Sequence, residues 1–195
     1  MARFMIDKYG VLEMNRAEYL KTGMIVSQSP LSAEFTEEKP CENGMWVDAN
    51  KANGEIKLVS ADTQIYGIVY TTEKDFTGWR PALKWHSQVG KKDGKDGDYP
   101  RVGILNVGDT FTTNTFNYDF ASETVAEQWQ ELKDAFDDGK NPLYVVPTLE
   151  GDNATIKGAP TVTATKPGEG PYAQVVKLYT VPAGTPGIKY VMQRV

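Results

Sequence analysis

Cys41 and His86 are the one cysteine and the one histidine of this chain, and so its only candidate for a thiol nucleophile with an imidazole base. No known nucleophile signature surrounds Cys41, which follows Pro40, so a packed or surface cysteine is the expectation. A single histidine cannot build a His-rich metal site, and a single cysteine cannot build a zinc cluster. The run Lys91-Lys92-Asp93-Gly94-Lys95-Asp96-Gly97-Asp98 invites a calcium reading and fails it. Counted from Asp93, Lys95 and Gly97 fall where an EF-hand loop needs oxygen ligands, and a solvated turn fits better.

The remaining motifs are also negative. There is no Gly-x-Ser-x-Gly elbow, and Gly103 to Gly108 lacks the Lys-Ser/Thr end of a phosphate-binding loop. The pairs Glu37-Glu38 and Asp137-Asp138 are sequence neighbours in a linker and at a helix end, which suits a solvated face. No catalytic residue, metal or cofactor is expected, and the chain reads as a non-enzymatic scaffold or binding module. The one binding signal is aromatic: Trp79-Arg80 and Trp85-His86 lie in a polar stretch from Glu73 to Pro100. They could form a platform for sugar rings, an anchor for a protein partner, or a lid folded back over a sheet.

These side chains need elements to hold them. The chain has 195 residues, 40% of them hydrophobic, long enough to bury a substantial core. Its 18 glycines and 11 prolines exceed the average share of about 12%, which favours many turns. A net charge of −5 lacks the basic stripe of a sequence-independent nucleic-acid binder, so nucleic acid is not an expected partner. One cysteine excludes an internal disulfide. The first apolar run ends at Asp7, short of a signal-peptide core, and nothing approaches the ~20 apolar residues of a membrane span. A soluble protein made in a cytoplasm, with no membrane partner, is expected.

Residues 1–40 read as an arm and linker outside the main sheet. Arg16 to Thr22 suits two turns of helix, with Asn15 as N-cap, Glu18 in the first turn and Gly23 as stop. Around it Phe4, Met5, Ile6, Tyr9, Val11, Leu12, Met14, Met24, Ile25 and Val26 are too many apolar side chains for a solvated tail, and they must bury against this domain or a neighbouring subunit. Ser27 to Pro40, with Glu34, Glu37 and Glu38, reads as linker.

Residues 41–195 read as a single β-rich domain, with possible β subregions at 41–118 and 142–195 joined by a helix. Met45 to Ala49, Glu55 to Val59, Gln64 to Thr72, Val102 to Leu105 and Asp109 to Thr113 carry strand patterns. Asn53-Gly54 and Gly108-Asp109 mark turns. A helix over about 122–138 follows, capped by Ser122 or Thr124, with Val125, Trp129, Leu132 and Phe136 on one apolar stripe. Strands return at Tyr144 to Val146, Ala154 to Lys157, Thr161 to Thr165, Ala173 to Thr180 and Ile188 to Arg194. Met45-Trp46-Val47 with Gly54-Glu55-Ile56-Lys57 is similar to Leu143-Tyr144-Val145 with Ala154-Thr155-Ile156-Lys157, a hint of duplication. The expected class is mainly β, an antiparallel barrel or sandwich with one amphipathic helix and an N-terminal arm bearing a short helix.

The order of Gly-Met-Trp-Val-Asp, Gly-Glu-Ile-Lys, Ile65-Tyr66-Gly67-Ile68-Val69, Arg101-Val102-Gly103-Ile104-Leu105 and Val107-Gly108-Asp109 resembles the small β-barrel modules of tailed-phage head decoration (capsid cement) proteins. Ala173 to Tyr179 with Pro182 to Lys189 is similar in style. The likeness spans residues 44–112 and, more loosely, 142–195; the helix and the long arm depart from it and leave a tail or head-tail connector component open. The resemblance implies a non-enzymatic virion protein binding the major capsid protein and sister copies of itself. Phe4, Met5, Ile6, Tyr9, Val11, Leu12, Met24, Ile25, Trp79, Arg80 and Trp85 would form the interface. The competing expectation is a carbohydrate-binding or adhesin-like module using Trp79 and Trp85.

Overall fold

The chain's regular structure is organised by alternation of apolar and polar residues along short strands, and by two cores that share one sheet. A computed structural model describes residues 12–21, 29–35, 41–70, 99–122, 124–137, 142–149, 156–181 and 185–195. Among them ten strands form two antiparallel sheets: β1 Leu12–Arg16, β2 Trp46–Asp48, β3 Lys57–Leu58, β4 Tyr66–Val69, β5 Val102–Ile104, β6 Thr110–Thr113, β7 Tyr144–Val146, β8 Thr161–Thr163, β9 Tyr172–Val181 and β10 Thr185–Arg194. One sheet runs β1-β6-β10-β9-β7-β8 and the other β3-β2-β4-β5. The mainly β, sandwich-like class is as expected; neither sheet closes into a barrel.

Successive residues of a strand point to opposite faces, and the four-stranded sheet buries both. Trp46 and Ile68 face the six-stranded sheet and join Phe111, Val145, Val175, Ile188 and Tyr190 in the first core. Val47 and Val69 face the other way, into a second core with Leu31, Phe35, Cys41, Met45, Ile56 and Ile156.

The second core corrects the expectation that Ser27 to Pro40 is only a linker, where it is described. Something must cover the outer face of the small sheet, and residues 29–35 do so. Leu31 and Phe35 are buried, and Leu31 forms a parallel bridge with Ile56. Ile56 N–H donates to the Pro30 carbonyl and Ser32 N–H to that of Ile56, each at 2.9 Å. Glu34, read as part of the linker, accepts the Leu58 N–H at 2.9 Å.

The arm is corrected in the same way where it is described. Leu12–Arg16 is an edge strand of the large sheet, paired with β6 in the register Leu12 to Thr113 and Met14 to Phe111. The short helix is α1, Glu18–Lys21, so Arg16 is strand and not helix. Its first N–H is capped from a distance, since Glu18 N–H donates to Asp109 Oδ1 at 2.8 Å. Asn15, the expected cap, instead accepts from the Thr112 hydroxyl.

Gly108-Asp109 is a turn as expected, with Gly108 at φ 88, where a residue lacking Cβ is favoured. It connects two sheets rather than two paired strands: β5 pairs with β4 and β6 with β1 and β10. Ile156 and Lys157 form a turn, not the end of a strand, and β7 takes β8 as its hairpin partner. The two segments whose likeness hinted at duplication therefore occupy different positions in the fold.

The long helix α2, Val125–Asp137, matches its expected span, with Leu132 buried and Trp129 and Phe136 packed against the first core. Thr124 Oγ1 accepts the Glu127 N–H, as an N-cap does. Glu131 reaches back to take the N–H groups of Ala121 and Ser122 and the Ser122 hydroxyl, which draws its pKa below the ordinary glutamate value.

Candidate functional site

Cys41 is buried, and desolvation, with the Glu42 carboxylate adding to it, pushes its thiol well above the ordinary range. A nucleophilic thiol requires the opposite shift. Its possible base His86 lies outside the described residues, as do Lys91 to Asp98 and Glu37-Glu38. Among the described residues no three His, Cys, Asp or Glu side chains are grouped to hold a metal ion. No described helix is long and apolar enough to cross a membrane.

The buried polar side chains tie elements together. Asn117 Nδ2 donates to the carbonyls of Ile156 at 3.0 Å and Ala159 at 2.8 Å, while its Oδ1 accepts the Ile156 N–H at 3.1 Å. The Thr148 hydroxyl also donates to Ala159. Asp109 accepts from Glu18 N–H through one oxygen and from Asn106 N–H, 2.9 Å, through the other. Burial raises the Asp109 pKa despite those bonds, which lower it. Each group connects segments distant in sequence, and each has its hydrogen-bonding capacity directed inward.

Of the residues expected to form an interface, Leu12 alone is described. It is half-buried against the first core of its own domain. Phe4, Met5, Ile6, Tyr9, Val11, Met24, Ile25, Trp79, Arg80 and Trp85 lie outside the described residues.

The outer face of the six-stranded sheet is the described surface with the character of a binding site. On β9 and β10, Ala173, Val175, Ile188, Tyr190 and Met192 are buried, and their neighbours point outward. Arg194 is paired with Tyr172, its guanidinium 4.9 Å from the ring centroid, and Lys166 approaches the same ring at 5.9 Å. Tyr144 meets Tyr172 edge to face at 5.9 Å. A register shift between Lys189 and Tyr190 leaves Val176 without a partner, and it stands 45% exposed. Beyond that bulge Lys177 and Lys189 are directly opposed across the strands. Both ammonium groups turn over Tyr179, at 4.8 Å and 6.0 Å.

Four cations, three tyrosines and an exposed valine thus lie on one face of a chain whose net charge is −5. Sequence reasoning missed this face because the bulge breaks strict alternation: Val176 and Lys177 are consecutive, and both are exposed. The signal available was Tyr172, Gln174, Lys177 and Tyr179 between apolar residues, read as a wet sheet face.

Comparison of the chain with family profiles, with characterised proteins and with solved structures finds no match.

Proposed function

We propose that this chain is a non-enzymatic structural protein of a tailed-phage virion, bound to the outside of the capsid shell as a decoration or cement protein. It would be made in the host cytoplasm and hold its place through contacts with the major capsid protein and sister copies. The observation that supports this reading best is the division of labour among polar groups. The buried ones described above fasten the fold, while cationic and aromatic side chains collect on a broad sheet face suited to protein contact. A sandwich with such a face can add buried area between shell subunits.

Quantitative mass spectrometry of density-purified particles tests the reading. A ratio to the main shell protein near unity, or one per few subunits, supports decoration. A handful of copies moves the protein to the tail or neck, and absence from particles overturns the virion reading. Glycan binding that is lost in Trp79→Ala or Trp85→Ala with the fold intact would favour the carbohydrate-binding alternative instead.

A further inference from the structure

Like charges placed directly opposite each other on neighbouring strands are destabilising. Lys177 and Lys189 are such a pair. Among the described residues neither makes an ion pair: the nearest acidic residue in that row of the sheet is Glu13, opposite Thr112, which in turn is opposite Lys189. Together with Arg194 and Lys166, they place four cations around this face of a chain that is acidic as a whole; Arg194 also holds the 168–170 turn through the Gly168 and Gly170 carbonyls.

One place where carboxylates gather is α2. Glu127, Glu131 and Asp134 recur at spacings of four and three, which puts them on one stripe of the helix. At 100° per residue that stripe is opposite Trp129, Leu132 and Phe136, which pack inward. Glu127 and Asp134 are exposed, and the hydrogen bonds to Glu131 favour its charged form. Lys133, the cation of this helix, is turned toward Trp129, 5.8 Å from the ring.

We propose that the outer face of the six-stranded sheet, centred on Val176, Lys177, Tyr179 and Lys189, docks the carboxylate stripe of α2 on a second copy of this chain. A symmetric sheet-to-sheet contact would oppose the same lysines and is disfavoured. The contact therefore joins unlike patches, the sheet face of one copy and the helix stripe of another, either reciprocally about a two-fold axis or head-to-tail in a ring or string. Val176 and the Tyr179 ring supply apolar surface at the centre, and the charges supply orientation and salt sensitivity. Nucleic acid is the poorer occupant, because the net charge of −5 repels a polyanion at long range. The inference does not depend on the virion reading and is tested on the purified full chain.

The experiment is sedimentation velocity over a concentration series at low and high salt. It compares wild type, Lys177→Glu with Lys189→Glu, Glu127→Lys with Asp134→Lys, and an equimolar mixture of the two double variants, with circular dichroism confirming that each is folded. Wild type is expected to self-associate at low salt and to weaken about tenfold or more as the screening length shortens. Each double variant alone should be monomeric, and the mixture should associate again, since each variant then meets its complement. A wild type that stays monomeric at low salt, variants that associate as wild type does, or a mixture that stays monomeric would overturn the proposal. A monomer that instead binds a single-stranded oligonucleotide through Lys177 and Lys189 would overturn it in favour of a polyanion site.

Discussion

The indole N–H of Trp46 donates to the hydroxyl of Tyr190 at 3.1 Å, joining the four-stranded sheet to the six-stranded one through two fully buried side chains. The rings meet edge on at 6.1 Å, and Tyr190 also packs on Phe111 at 5.7 Å. Tyr190→Phe keeps the ring and removes the acceptor, leaving a buried indole N–H without a partner. A loss of about 1–3 kcal/mol in chemical denaturation is expected. An unchanged midpoint would show that the bond contributes nothing between the sheets.

Tyr19 seals the other end of the same core, and its place depends on a glycine. A Cβ built on Gly103 would come within 2.5 Å of the Tyr19 ring, which also packs on Tyr70 at 4.9 Å and donates to Met14 Sδ. Gly103→Ala must displace that ring and loosen α1. We expect a loss of about 1–3 kcal/mol in thermal or urea unfolding, with faster proteolysis near residues 17–21 than elsewhere. Uniform protection along the chain would contradict this.

Asn117→Ala removes donors and an acceptor from one buried position at once. The carbonyls of Ile156 and Ala159 and the N–H of Ile156 all lose a partner. Since a satisfied buried network is expensive to leave half made, a cost of about 2–4 kcal/mol is expected by urea titration. A cost near that of an exposed Asn→Ala change would mean that water replaces the side chain freely.

Asp109 makes stability depend on pH with a definite sign. Desolvation raises its folded-state pKa above the ordinary 3.8, outweighing the hydrogen bonds from Glu18 and Asn106. The folded protein therefore holds this proton more tightly than the unfolded chain. The resulting stabilisation is fully present below the unfolded pKa and is lost as pH rises through the raised folded pKa. Measured against Asp109→Asn, wild-type stability should fall as pH increases through that acidic window and then level off. A difference that grows with pH would reverse the assignment.

Lys189→Glu converts the like-charged cross-strand pair with Lys177 into an opposite-charge pair. A gain of a few tenths to about 1 kcal/mol is expected, shrinking in high salt. Destabilisation would show that the two ammonium groups hold more through the Tyr179 ring than they lose by repulsion.

Much of the fold could be read from local pattern. Tyr144–Val146 and the α2 stripe of Trp129, Leu132 and Phe136 follow from alternation and helical period, which are properties of contiguous residues. What was hidden depends on partners far along the chain. Leu12–Arg16 is a strand because β6 offers it an edge about a hundred residues later, and α1 starts where Asp109 supplies a cap. Leu31 and Phe35 are buried because a sheet that buries both faces needs a cover, which no feature of residues 27–40 announces. The candidate face was obscured for a more local reason: a single bulge at Val176 shifts every later residue of β9 to the opposite phase.

The position of β10 has a consequence for synthesis. Thr185–Arg194 follows the other nine described strands along the chain, yet it sits inside the large sheet, between β6 and β9. The four-stranded sheet, complete by Ile104, can pair while the chain is still growing. Strand β6 must wait about seventy residues for its second neighbour, offering an open edge to other nascent chains meanwhile. Yield of soluble protein should thus be governed less by the strength of the finished sandwich than by how quickly β10 arrives to cover that edge.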